Sequence, residues 1–232
     1  MPEGLRVYAV GDIHGCLAEL NALLAKIEDD AAGYAGKRQI VFLGDYVDRG
    51  PDSRGVIERI LGLHDRSQAR AIRGNHDQFL LDFLDEPMLF RQWRDYGGRE
   101  TLVSYGVSPP LFDDEKAFAA ARDAFRDALP PRHLAFLRGL DYAIEIGGFY
   151  FVHAGVRPGI ALAQQARADL LSIRDDFLLS DSDFGRVVVH GHTPTEGPVR
   201  RANRIGVDTG AYATGRLTAA VLEGTSCRFL ST

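Results

Sequence analysis

The stretch that decides the fold is "RQIVFLGDYVDRG", residues 38–50. Its first six residues are short, apolar and rich in β formers, which is the signature of a buried strand. The next seven place Asp45, Asp48 and Arg49 between two glycines. A strand end crowded with like charge is a poor structural choice, because a buried carboxylate without a partner is expensive. Something must hold those carboxylates, and the arginine needs a purpose.

The same arrangement recurs on either side. "LRVYAV" (5–10) runs into "GDIHG", and "ARAI" (69–72) runs into "RGNHD". Between these strands lie helical patterns at 16–30, with Leu17, Leu20, Leu24 and Ile27 on one face, and at 52–64. A third helix is expected from Asp77. The β-α-β-α-β order argues for an α/β sheet with parallel strands. Sites in such sheets gather at the carboxyl ends of strands, so the three polar turns should lie side by side. Residues 85–140 read as mainly helical, an insertion over one edge of the site. Beyond them the chain is β-rich, with strands at 142–146, 149–153 and 186–190, then "RIGVD", "RLTAAVLE" and "SCRFLS". "EIGGFY" and "EGTSC" read as hairpin turns. Two of these strands end in histidine turns, "HAG" (153–155) and "HGHT" (190–193). The expected architecture is two β-sheets packed face to face with helices outside, in one domain spanning 1–232.

Composition narrows the class. The 232 residues are 45% hydrophobic and 25% charged, enough apolar material for a sizeable core. A net charge of −5 lacks the basic excess of a nucleic-acid binder. No apolar run approaches the ~18 residues of a membrane span, and no signal peptide is evident. Two cysteines, Cys16 and Cys227, argue against a disulfide framework. The expectation is a cytoplasmic enzyme with neither nucleic-acid nor membrane partners.

The polar residues at five strand ends are Asp12, His14, Asp45, Asp48, Asn75, His76, His153, His190 and His192. Oxygen ligands mixed with imidazoles suit Mn, Fe or Zn better than Ca or Mg. Within this set, His190 in "VVVHGHT" reads as a buried strand residue. His64, His133 and Cys16 read as surface or packing residues.

In this order "GDIHG", "GDYVDRG", "GNHD", "HAG" and "HGHT" resemble the phosphoprotein phosphatase family of two-metal phosphoesterases, in its short bacterial and bacteriophage-lambda form. The resemblance implies a metallophosphoesterase-type β-sandwich of two mixed sheets flanked by helices. It also implies two divalent ions, with Mn2+ preferred. Asp12 and His14 would bind the first, Asp45 would bridge both, and Asn75, His153 and His192 would complete the second. A bridging hydroxide would then attack phosphorus in line. Asp48 would orient His76 and keep it protonated, as the general acid for the leaving group. Arg49, Arg73 and Arg174 would bind phosphate, with Arg157 a rival to Arg174. Tyr96, Gly97 and Gly98, in the inserted helical region, would touch the substrate or only break the helix there.

The activity implied is phosphomonoester hydrolysis on phosphoserine and phosphothreonine, with phosphotyrosine admitted, in a phosphoprotein or phosphopeptide. The first alternative is a symmetrical diadenosine tetraphosphate hydrolase. That group typically carries Ala-Arg-Gly where this chain has Asp48-Arg49-Gly50. The second is a general metallophosphodiesterase, which usually ends in Gly-His-x-His where this chain has Pro194. A non-enzymatic binding domain would not need the complete ligand set or the His76–Asp48 pair.

Overall fold

Alternating apolar positions along the first strand point to two different cores, and this period of two sets the layering. The computed structural model describes residues 1–232. Strands β1 (Leu5–Val10), β2 (Lys37–Phe42) and β3 (Ala69–Ala71) lie side by side and parallel. A second sheet contains β4 (Ala143–Ile146), β5 (Phe149–Val152), β6 (Val187–His190), β7 (Val199–Arg200) and β8 (Arg204–Gly206). Its order is β4-β5-β6-β8-β7, with β5, β6 and β8 parallel. The chain then returns to the first sheet as β9 (Thr218–Glu223), antiparallel to β1, and β10 (Ser226–Ser231) at the edge. The two expected hairpins close through two-residue turns at 147–148 and 224–225, where Gly147 and Gly224 have positive φ. Both sheets are therefore mixed, and they sandwich one core.

Val7, Ala9, Val41 and Leu43 of the first sheet meet Phe151, Val189, Ile205 and Val207 of the second in that core. The intervening residues Tyr8, Val10, Ile40 and Phe42 face outward against α1 (Leu17–Ala31) and α2 (Ser53–His64). On the second sheet, Tyr150, Val152 and Val188 face the other way. They pack under α8 (Arg167–Ser172) and α9 (Asp175–Leu178), numbered after the helices that follow.

The third helix, α3 (Asn75–Asp85), begins two residues before the expected start. Asp77 explains the shift, because its carboxylate accepts from Gly74 N at 2.9 Å and so closes the first turn. Asn75 and His76 thereby become first-turn residues, aimed at the strand ends. Between β3 and β4 the chain forms α3, α4 (Phe90–Trp93), α5 (Gly98–Ser104), α6 (Glu115–Ala128) and α7 (Pro131–Gly139). Phe83, Phe90, Trp93, Phe118 and Phe125 interlock there, with Phe83 and Trp93 ring centres 4.8 Å apart. Burying such side chains contributes roughly 1.5–3 kcal/mol each, enough to hold short helices of little intrinsic stability. A last short helix, α10 (Ala211–Thr214), follows β8. No helix is long and apolar enough to cross a membrane.

Candidate metal centre

The carboxyl ends of β1, β2, β3, β5 and β6 converge at one end of the sandwich, and the backbone there is strained. Six non-glycine residues have positive φ, and five of them are His14, Asp45, Asp48, Arg49 and His192. Left-handed conformations are costly for such residues and persist where the surroundings impose them, which is characteristic of functional sites. The turns also pass very close together. A Cβ at Gly191 would overlap Asp12 Oδ1.

Asp45 is the hub. Its Oδ2 lies 3.5 Å from His14 Nε2, 3.5 Å from His153 Nε2 and 4.0 Å from His76 Nε2. Burial opposes ionisation of Asp45, but the surrounding imidazoles outweigh it and lower its pKa. The histidines are aimed by their other nitrogens. His14 Nδ1 lies 2.8 Å from Val47 O, and His153 Nδ1 lies 2.8 Å from Leu43 O. A ring nitrogen facing a carbonyl carries the proton, so each Nε2 presents a lone pair inward. His153 Nε2 then faces Asn75 Oδ1 at 2.8 Å and His192 Nδ1 at 3.2 Å. Burial pushes His14 and His192 down to about 3 and also lowers His153, so these rings are neutral at pH 7. Acceptors gathered this closely repel one another unless a cation lies among them. Asp45 is common to two such groups, one with His14 and His76 and the other with His153 and His192. The donor set fits divalent metal.

Asp12 accepts from His192 N at 3.0 Å, tying the end of β1 to the turn after β6. Burial and the nearby Asp208 and Asp45 raise its pKa. His190 is a buried strand residue, with Nδ1 near Gly191 O at 3.1 Å. His133 is also buried, between Tyr105 OH and Glu58.

Asp48 lies just outside this group. Its Oδ2 is 2.7 Å from His76 Nδ1 and accepts from Trp93 Nε1 at 2.9 Å, while Oδ1 accepts from Thr101 Oγ1 at 2.6 Å. Burial disfavours charge on both partners. For His76 the carboxylates of Asp45 and Asp48 outweigh burial and raise the pKa; for Asp48 burial wins and raises it. The geometry decides between the two. Indole N–H can only donate, so the three groups around Asp48 solvate a carboxylate, and the imidazolium is the stabilised form.

The arginines divide. Arg49 faces the cleft, with Nη2 3.2 Å from His76 Nε2. Arg174 is exposed and lines the opposite wall. Arg73 departs from the expectation of a phosphate ligand. Its guanidinium donates to Leu137 O and Arg138 O, both at 2.9 Å, and to Gln78 Oε1 at 2.7 Å. Carbonyls in the last turn of a helix lack intrahelical partners, and Arg73 satisfies them for α7. Arg157 is tied on the surface to Asp169 and Asp176. The cleft itself has a volume of about 360 Å³, with Phe79, Tyr96 and Ser172 among its walls.

Four contributors are absent from the sequence-level site. Asp77 accepts from Asp45 N at 2.9 Å and Tyr46 N at 3.0 Å, fixing the strained turn. Trp93 and Thr101 reach Asp48 from the helical segment. Asp208 is buried at the end of "RIGVD", where the recurring strand-then-Gly-turn signal was present in "VDTG".

Comparison with known proteins agrees with this geometry. Over 90% of its length the chain is 27% identical to a protein named bis(5'-nucleosyl)-tetraphosphatase PrpE [asymmetrical] from Anoxybacillus flavithermus, covering 87% of that protein. It is 36% identical over 65% of its length to a symmetrical bis(5'-nucleosyl)-tetraphosphatase from Ralstonia nicotianae, covering 42% of it. Among solved structures, one described as a candidate diadenosine tetraphosphatase superposes with a TM-score of 0.67 at 24% identity, over 97% of this chain and 93% of that one. A cold-active protein tyrosine phosphatase superposes at 0.64 and 20% identity, over 99% and 78%. The model of the calcineurin-like phosphoesterase family matches residues 5–219. The chain is a member of the calcineurin-like phosphoesterase family.

Proposed function

We propose that this chain hydrolyses dinucleoside polyphosphates of the bis(5'-nucleosyl)-tetraphosphate class, using two divalent metal ions. One observation carries the choice: the relatives that align along nearly the whole of both chains bear that activity in their names. The protein phosphatase favoured by Asp48-Arg49-Gly50 becomes the second reading, and the intact His76–Asp48 pair is what supports it.

In this reading Asp12 and His14 hold one ion, Asn75, His153 and His192 hold the other, and Asp45 serves both. Mn2+ is the ion proposed, on the mixed oxygen and imidazole donor set. When bound, such a pair polarises a phosphoryl group and lowers the pKa of water. Arg49 and Arg174 approach the cleft from opposite walls and neutralise phosphate oxygens. Asp48 holds His76 by Nδ1, so the proton available to a leaving group resides on Nε2. In a neutral ring Nε2 takes a bond from Arg49. In the protonated ring Nε2–H and the guanidinium both point at the same spot, which is an arrangement that receives an anionic oxygen.

The test is kcat/KM with Mn2+ for diadenosine tetraphosphate, a phosphothreonine peptide and bis(p-nitrophenyl) phosphate, measured side by side. The dinucleotide is expected to lead. A peptide preference would restore the protein phosphatase, and preference for the diester would establish a phosphodiesterase.

A further inference from the structure

The walls continue past the phosphate cleft. A second cleft, of about 400 Å³, shares Arg49 and Tyr96 with the first and is completed by Arg94, Asp95, Gly97, Glu100 and Tyr212. Tyr96 and Tyr212 are 52% and 43% exposed, whereas most aromatic side chains of this molecule are buried. Each ring touches the site on one side, Tyr212 edge-on to His14 at 5.4 Å and Tyr96 to His76 at 6.3 Å, and keeps much of its surface open to the cleft. Arg49 links the two clefts: its guanidinium sits 4.4 Å over the Tyr212 ring while Nη2 reaches His76. The wall that carries Tyr96 is fixed to the same arginine. Arg49 N donates to Gly97 O at 3.3 Å, and any Cβ at Gly97 would overlap the Arg49 backbone. The spacing between the phosphate-facing arginine and the aromatic wall is therefore built in before a ligand arrives.

We propose that this second cleft seats one nucleoside of the substrate. Its base lies against the Tyr96 and Tyr212 rings, and its 5'-phosphate chain runs past Arg49 to the metal centre. The inference rests on the dinucleotide reading above and adds the residues that would select for it. Every base has a π-face, so tyrosine faces accept it without reading its identity. The Glu100 carboxylate, at the same cleft, is an acceptor for ribose hydroxyls. Arg94, only loosely paired with Asp95 and Asp113 at 3.9 Å each, is the second cation beside a polyphosphate tail. A phosphoserine or phosphothreonine side chain uses the first cleft alone and has no flat group to offer the second.

The experiment uses the full chain with Mn2+ and compares wild type with Tyr96→Ala, Tyr212→Ala and Tyr212→Trp. It reads the ratio of kcat/KM for diadenosine tetraphosphate to that for a phosphothreonine peptide without aromatic residues. Calorimetric titration of the metal-free proteins with AMP is run in parallel. Each alanine variant is expected to lower the ratio about tenfold, mainly through KM, as loss of a base–aromatic stack should. AMP affinity should fall in step, and Tyr212→Trp should keep both. Equal losses on the two substrates, or an unchanged ratio, would overturn the seat and leave the tyrosines as supports for Arg49. If wild type cleaves the phosphothreonine peptide but not the dinucleotide, the activity reading fails and AMP decides separately. AMP binding weakened by Tyr212→Ala keeps a nucleotide seat; AMP binding that is absent or indifferent to Tyr212 removes it.

Discussion

The strand ends and the helical segment between β3 and β4 contribute side chains of opposite character to the same cleft. At the strand ends the side chains are buried, ionisable and close enough to repel one another, and the backbone adopts costly conformations to present them. The helical segment is a cluster of interlocked aromatic rings. It sends in two neutral donors, Trp93 Nε1 and Thr101 Oγ1, and leaves Tyr96 on the outside. The strand ends make sense only with cations among them, whereas the helical segment is satisfied as protein alone. In the proposed reading the difference separates two tasks: reaction class would reside in the strand ends, and the helical segment would position one acid and shape what can enter.

The sharpest test of that division is Asp45→Asn. Asp45 is common to both groups in the geometry above, so its loss should remove bound metal, measured by elemental analysis, and cut kcat/KM by about 10³-fold or more. Full metal content with near-normal turnover would break the assignment. His76→Asn comes next. Positioned acids contribute about 10²–10⁴-fold, and an alkoxide needs protonation more than a nucleotide phosphate does. The loss should therefore be larger on a phosphothreonine peptide than on diadenosine tetraphosphate, at unchanged metal content. Equal losses on both would mean that His76 serves binding instead.

Thr101→Val asks whether the helical segment takes part in chemistry. It removes a 2.6 Å bond to Asp48 at nearly constant volume. An unpartnered buried acceptor costs about 1–3 kcal/mol, so kcat should fall about tenfold while KM stays within about twofold. A change confined to KM would make Thr101 part of the substrate wall. The smallest effect is expected far from both regions. Asp30 is held by Arg228 at 2.6 Å, Tyr8 OH at 2.7 Å and Arg6 at 3.2 Å, and bonding to Arg228 foremost lowers its pKa. A carboxylate with depressed folded pKa stabilises above its unfolded value near ~3.9 and loses that contribution as pH falls through the folded value. Asp30→Asn should cost about 1 kcal/mol at pH 7, less as the pH falls through the lowered folded value, and leave kcat unchanged. A change in turnover would show that the two regions do not hold all of the catalytic apparatus.

The sequence made the strand ends legible because ligand chemistry restricts both residue type and spacing. Asp12, His14, Asp45, Asn75, His76, His153 and His192 all come together. The periodicity of the strands likewise announced two sheets with helices outside. What escaped reading acts over long separations. Thr101 and Asp48 are 53 residues apart, and no local pattern marks a hydroxyl that will meet a carboxylate after folding. Arg73 misled for a related reason: its position beside "GNHD" is that of a phosphate ligand, but α7 ends within its reach and claims the guanidinium. Asp77 was visible in "GNHD" yet looked like an ordinary helix residue, since its bonds to Asp45 N and Tyr46 N depend on β2 lying alongside. Asp208 could have been found by the rule that found the others.

The grip of Trp93 and Thr101 on Asp48 has a consequence for how such a chain can be altered over generations. A wall that only shaped the entrance could be exchanged for another, giving a new substrate range on an old reaction. This wall also carries two of the three donors around the carboxylate that steadies His76. Any transplanted segment must bring an N–H and an O–H to the same place, or the recipient gains a new substrate and loses the speed to use it. With His76 as the acid, selectivity and turnover would be inherited here as a single unit.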